Sequence, residues 1–270
     1  NCAAEFEAPS LGLSFCSSLL SLPLKTHNAD MLSTCLQSCD SVIAALQSPY
    51  LLTNQIKTIL YQSAGVFPSI EALAEQFGYS LTLTSSAPYQ KQGEQGYSTK
   101  SADGQVASYY YSQPFIDVSG QVIIDGKTHQ VTGQGWIDRE WSSQFLLDSQ
   151  QGWDWFALRL SDETSLVVFQ LRDSKTGKAS YSSARLMRQD GSGIALSPNE
   201  IQLNATKQTE IQGRNYPTEW QVAISSQQIE LVVSALNPKA KMPLSVPYWE
   251  GPVRIEGTHS GSGYMELTGY

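Results

Sequence analysis

The sequence predicts a predominantly antiparallel β fold, a barrel or a sandwich, preceded by a small α-helical segment. Three observations predict it. Short runs of alternating apolar and polar residues recur from residue 81 onward, spaced at roughly ten residues. Asp-Gly and Thr-Gly pairs separate several of these runs, which is the chemistry of tight hairpin turns. Helical spacing of apolar residues is confined to residues 1–80. The expected organisation is therefore a helical segment over 1–80 and a β domain over 81–270.

Within the first segment, Asn28-Ala29-Asp30 can cap a helix carrying Met31, Leu32, Cys35, Leu36, Cys39, Val42, Ile43 and Leu46 on one face. Pro49 follows its end. Leu51, Leu52, Ile56, Ile59 and Leu60 form a second apolar face. Ser69 is placed to cap a helix over Ile70–Phe77, which Gly78 can stop. In the β region the alternating runs are Ala107–Tyr111, Phe115–Val118, Gln121–Ile124, Phe156–Leu160, Leu166–Leu171, Ile201–Leu203, Trp220–Ile224, Ile229–Val233 and Val253–Glu256. Turns are expected at Asp103-Gly104, Asp125-Gly126, Thr176-Gly177 and Asp190-Gly191.

At 270 residues the chain can bury a large core. Its net charge of −8 argues against nucleic acid and anionic membrane as partners. No apolar run reaches the roughly 18 residues of a transmembrane helix, and no signal peptide is visible. On these grounds a cytoplasmic location is favoured, with a periplasmic or exported one left open. All four cysteines (Cys2, Cys16, Cys35, Cys39) lie in the first 40 residues. Their spacing fits no common zinc pattern. They read as buried, reduced thiols, with a disulfide or a lipid-modified Cys2 as the alternatives. With three histidines and no carboxylate cluster at ligand spacing, neither a metal nor another cofactor is expected.

The chemistry-bearing stretch is Gly133-Gln134-Gly135-Trp136-Ile137-Asp138-Arg139-Glu140-Trp141-Ser142-Ser143-Gln144, followed by Gly152-Trp153-Asp154-Trp155-Phe156. Charges beside tryptophans are costly to bury unless paired or used, so the cluster predicts a pocket. On a strand, Trp136, Asp138 and Glu140 share one face. A carboxyl among tryptophans holds its proton to higher pH and can act as a general acid. Asp138 and Glu140 are therefore the catalytic candidates, although either could instead pair with Arg139, Arg159 or Arg172 and fix the fold. Trp136, Tyr109, Tyr111, Trp153, Trp155 and Trp249 are the candidate substrate-binding aromatics, able to face a cation or to fill a core. Tyr110 must face opposite to Tyr109 and Tyr111, so one set at most lines a cavity. Glu250 and Glu266, carboxylates among aromatics, read as a second acid or as partners of a buried Arg; Glu250 is added to the binding set. His129 and His259 read as surface residues. Ser142-Ser143 beside Asp138 is a faint hydrolase hint without a neighbouring His, and no nucleophile elbow is present.

Two resemblances stand beside this reading. The segments Phe15–Leu24 and Phe67–Ser80 resemble parts of an AraC-type regulator, the second resembling the first helix of its helix-turn-helix. A basic recognition helix should follow, but Leu81-Thr82-Leu83-Thr84 alternates like a strand. Residues 1–80 also carry six acids (Glu5, Glu7, Asp30, Asp40, Glu71, Glu75) against two bases (Lys25, Lys57), so no DNA binding is expected. The β half resembles the C-terminal lipocalin-like domain of the AttH / carotenoid 1,2-hydratase family over residues 86–270. The matching pieces are Gly93–Ser98, Ala107–Ser112, Gly135–Ser143, Gly152–Phe156, Tyr216–Trp220, Tyr248–Gly251 and Gly261–Tyr270. The resemblance implies an antiparallel lipocalin-like barrel and a hydrophobic small-molecule ligand such as a polyene, terpenoid or lipid. It implies acid-catalysed water addition, isomerisation or cyclisation of an alkene. Trp136-Ile137-Asp138 matches the family's aromatic-x-Asp element, which makes Asp138 the implied proton donor. It also implies a second lipocalin-like domain that this chain lacks, so a homodimer is one expected arrangement. The alternatives are a non-catalytic lipophile carrier and a regulator remnant fused to a β domain.

Overall fold

The computed structural model describes residues 2–6, 12–15, 69–73, 77–142, 146–242 and 247–270. Its strands, in chain order, are β1 (Cys2–Phe6), β2 (Gly12–Phe15), β3 (Ser69–Leu73), β4 (Phe77–Thr84), β5 (Gln90–Lys91), β6 (Tyr97–Thr99), β7 (Ala107–Ile124) and β8 (Lys127–Trp141). They continue as β9 (Gln150–Leu160), β10 (Ser165–Asp173), β11 (Ala179–Met187), β12 (Gly193–Leu196), β13 (Ile201–Ile211) and β14 (Arg214–Ile224). The last are β15 (Ile229–Ala235), β16 (Tyr248–Gly257) and β17 (Gly261–Thr268). The pairings of the described strands are antiparallel, and the fold is the lipocalin-like one that the resemblance implies.

The chain divides into two compact units, residues 1–87 with 113–138, and residues 88–112 with 139–270. In the first, the strand order runs β2-β1-β8-β7-β4-β3. Its core gathers Leu81, Leu83, Ile116, Val118, Val122, Val131 and Ile137. The β7–β8 turn is Asp125-Gly126, both at positive φ (49° and 73°), the backbone that an Asp-Gly hairpin adopts. The helix expected over Ile70–Phe77 is not formed: β3 and β4 occupy its ends and pair with each other, Ile70 opposite Leu81 and Ala72 opposite Tyr79. Four residues whose apolar positions fit both periods are settled by the ladder available to them. With that helix goes the structural basis for the regulator resemblance at Phe67–Ser80. The other helices expected within 1–80 lie outside the described residues.

In the second unit, nine strands form one sheet in the order β12-β11-β10-β9-β17-β16-β15-β14-β13. The terminal strand β17 lies between β9 and β16 and so joins two meanders. Tight backbone approach marks this seam: a Cβ added to Gly263 would sit 2.3 Å from the Ala157 carbonyl oxygen of β9. The sheet curls around one apolar face, to which Phe156, Leu166, Leu186, Leu196, Ile201, Trp220, Val233, Trp249 and Met265 contribute. This face is filled with side chains.

Strand β7 is one long element where the sequence suggested three. Its first part pairs with β5 and β6 as far as Ser112, and its last part with β4 from Asp117. Pro114 falls in the gap between these partners, where its missing N–H forfeits no ladder bond on that side.

Candidate functional site

Alternation along β9 puts Asp154, Phe156 and Leu158 on the filled face of the second unit and Trp153 and Trp155 on the other. Register carries that second face across the sheet. Phe169 of β10 and Glu266 of β17 both lie opposite Trp155, and Glu250 of β16 lies directly opposite Glu266. Tyr110 and Lys100 of the same unit come against it. The Trp155 indole N–H donates to the Tyr110 hydroxyl (3.2 Å). The Lys100 ammonium stands 4.2 Å from the centre of the Phe169 ring and 5.0 Å from that of Tyr110. A tight turn over Ser101–Val106 fixes Lys100. Its N–H donates to the Val106 carbonyl (2.7 Å), and its carbonyl accepts from Gln150 Nε2 (2.9 Å).

Two carboxyl systems meet here. Glu140, a third exposed, accepts from Lys100 Nζ (2.8 Å) and from the Ser108 hydroxyl. Glu250 and Glu266 are each only 5 % exposed. Glu266 Oε1 accepts from the Trp153 indole N–H at 2.6 Å. Burial, with Glu266 as neighbour, pushes the Glu250 carboxyl up to about 8. Burial also raises Glu266, and the Glu140 charge adds to the rise.

A third buried carboxylate lies on the filled face. Asp154, 0 % exposed, is met by Arg172 Nε (3.2 Å), Gln170 Nε2 (2.8 Å) and the Tyr270 hydroxyl (2.6 Å). The Arg172 guanidinium also stacks 3.8 Å from the Tyr270 ring centre. This network ties the last residue of the chain into the sheet and leaves Asp154 fully engaged.

Of the residues singled out in the sequence, Glu140, Trp153, Trp155 and Glu250 come together in the second unit. Asp138 and Trp136 are buried in the first, on the face of β8 turned away from Ile137. Tyr109 and Tyr111 face away from the Lys100 side. With Tyr89, Tyr97 and Trp141 they form a surface ladder of rings with centroid spacings of 4.9–6.1 Å. Tyr110, the neighbour of opposite parity, is the tyrosine that meets Trp155. Trp249 is fully buried in the filled core, its indole N–H donating to the Pro238 carbonyl (3.1 Å). The Ser142 hydroxyl donates to the Ala107 carbonyl (2.7 Å), and Ser143 lies outside the described residues. His259 is 3.5 Å from Asp162 on the surface. Among the described residues no group of three or more His, Cys, Asp or Glu side chains is placed to hold a metal ion, and no helix is long and apolar enough to cross a membrane.

Sequence reasoning left Lys100 out, because nothing near it in the chain is unusual. It named Glu266 without pairing it to Glu250. The pairing was available: both residues are equidistant from Thr258, between Gly257 and Gly261, and a hairpin centred there places them opposite each other.

Fold and site together define a lipocalin-like antiparallel β protein with a buried carboxyl cluster against tryptophan. The profile of the AttH-like family matches residues 53–270, and the chain belongs to that family. A crystal structure of a Nitrosomonas europaea protein assigned as an AttH is 34 % identical. It has a TM-score of 0.68, with 74 % of this chain and 64 % of that chain covered. Kievitone hydratase from Nectria haematococca is 14 % identical, with a TM-score of 0.62 and the same coverages; this likeness shows the shared fold. No curated protein matches the sequence. The chain thus spans under two thirds of the length of these structural relatives.

Proposed function

We propose that this chain binds a hydrophobic small molecule carrying an alkene and adds water to it by acid catalysis. The observation that supports this most strongly is the carboxyl pair Glu250–Glu266, buried beside Trp153 in a fold shared with a hydratase. Hydrating an unactivated double bond requires a proton delivered to carbon. A carboxyl that stays protonated near neutral pH can supply it. Aromatic faces such as Trp153, Trp155 and Tyr110 favour the cation that results. Asp138 is the donor implied by the family resemblance, and its burial is compatible with that role.

The test is native mass spectrometry of the protein with polyenes, terpenoids and fatty acids. The expected result is a bound species that gains the mass of one water. Asp138→Asn and Glu250→Gln, run separately, assign the donor: the variant that still binds but no longer converts identifies it. Binding with no gain in mass by wild type would establish a lipophile carrier instead.

A further inference from the structure

The opposed glutamates of β16 and β17 carry an inference that deepens this reading and rests on it. Directly opposed residues of an antiparallel pair have Cβ atoms about 4.5–5.5 Å apart. Like charges at that separation repel, and burial removes the water that would screen them. Glu250 and Glu266 cannot both be ionised there at modest cost. The hydrogen bonds indicate how the site resolves this. Glu266 Oε1 accepts from the Trp153 N–H at 2.6 Å, as a carboxylate does. Glu250 Oε2 is buried and has no hydrogen-bond partner, which suits a hydroxyl oriented towards its neighbour. Tyr248, two residues before Glu250 on the same face of β16, hydrogen-bonds to both carboxyls. Glu140 is the other charge that bears on Glu266 in this unit. It is itself a third exposed and held by Lys100.

We infer that Glu250 and Glu266 share a single proton at neutral pH and form the acid–base pair of this site. In the proposed reaction the pair gives its proton to an alkene carbon. The π electrons form the new C–H bond, and the adjacent carbon becomes a cation. Water adds to that carbon through oxygen, and its surplus proton returns to the pair. Alkene and water become alcohol, and the protein ends as it began.

The experiment is infrared difference spectroscopy of the full chain labelled with 13C-glutamate. At pH 7 the wild type should show the C=O stretch of one protonated glutamic acid, disappearing as the pH is raised through about 8. The band should be absent at pH 7 from Glu250→Gln and from Glu266→Gln, because an amide N–H then replaces the shared proton. Glu140→Gln should titrate the band at lower pH, since it removes a charge that favours the protonated form. A wild type without the band at pH 7, or a band that survives in either glutamine variant, overturns the pair. If a glutamine variant does not fold, the wild-type titration decides alone: a midpoint in the ordinary carboxylate range overturns the inference.

Turnover is scored separately. Each glutamine variant should lose on the order of 10²–10⁴-fold in rate. Water addition that persists undiminished in both variants removes the pair from catalysis while leaving the hydratase reading intact. A band that behaves as expected, in a protein that converts no alkene, sustains the shared proton and defeats the hydratase reading.

Discussion

Glu250 makes stability depend on pH in a direction opposite to that of most carboxylates. Folding raises it from an ordinary 4.5 to about 8, so the native state binds its proton more tightly than the unfolded chain does. Its contribution is fully present below about 4.5 and is lost as the pH rises towards 8. The melting temperature should therefore fall across that window, and Glu250→Gln should flatten the fall. Thermal melts of both proteins from pH 5 to pH 8 check this; equal slopes would count against a proton held at Glu250. Asp154 poses a different problem. Burial holds its carboxyl above the ordinary range in spite of Arg172, so each donor to it matters. Tyr270→Phe removes one, and should cost about 1–3 kcal/mol in urea unfolding. At this scale the sequence was half legible. The types of the site residues could be read, because carboxylates beside tryptophans are conspicuous. Which tyrosine faces inward could not, since Tyr109, Tyr110 and Tyr111 differ only in strand parity.

Strands β9, β16 and β17 hold the site, and their register is its geometry. A shift of one residue would turn Glu266 to the filled face and bring Leu267 to the site. Close packing at the β9–β17 seam guards against that. Gly263→Ala would place a Cβ against the Ala157 carbonyl, and backbone on a paired strand cannot easily yield. The expected loss is about 1–3 kcal/mol, the usual range for overpacking. On the surface ladder, Tyr109→Ala should cost the exposed ring pairs with Tyr97 and Trp141, about 0.2–1 kcal/mol each. Comparing the two variants by chemical denaturation separates seam from surface; equal losses would contradict this account of the seam. Hairpins were the most legible elements, because Asp125-Gly126 fixes its own turn. The Ile70–Phe77 stretch was misread because Ile70 and Ala72 satisfy a strand as well as a helix. Most of β13 went unseen because residues 204–210 carry no large apolar side chain on either face and are held by pairing with β14.

For the molecule as a whole, membership of the AttH-like family was legible because its aromatic-rich pieces run in order along the β region. Family membership leaves the substrate open, since lipocalin-like sites differ in the side chains that one scaffold carries. A ligand that binds only the folded state should raise stability by about 2.7 kcal/mol at one hundred times its Kd, so a thermal-shift screen of hydrophobic alkenes can find candidates before chemistry is assayed. The most direct test of the central claim is to incubate such a ligand with the protein in deuterated water and analyse the product. Acid-catalysed hydration predicts one deuterium bound to carbon and one added oxygen from solvent, both lost when the proton donor is replaced by its amide. A ligand that is bound and recovered unchanged, or a product without carbon-bound deuterium, would contradict it.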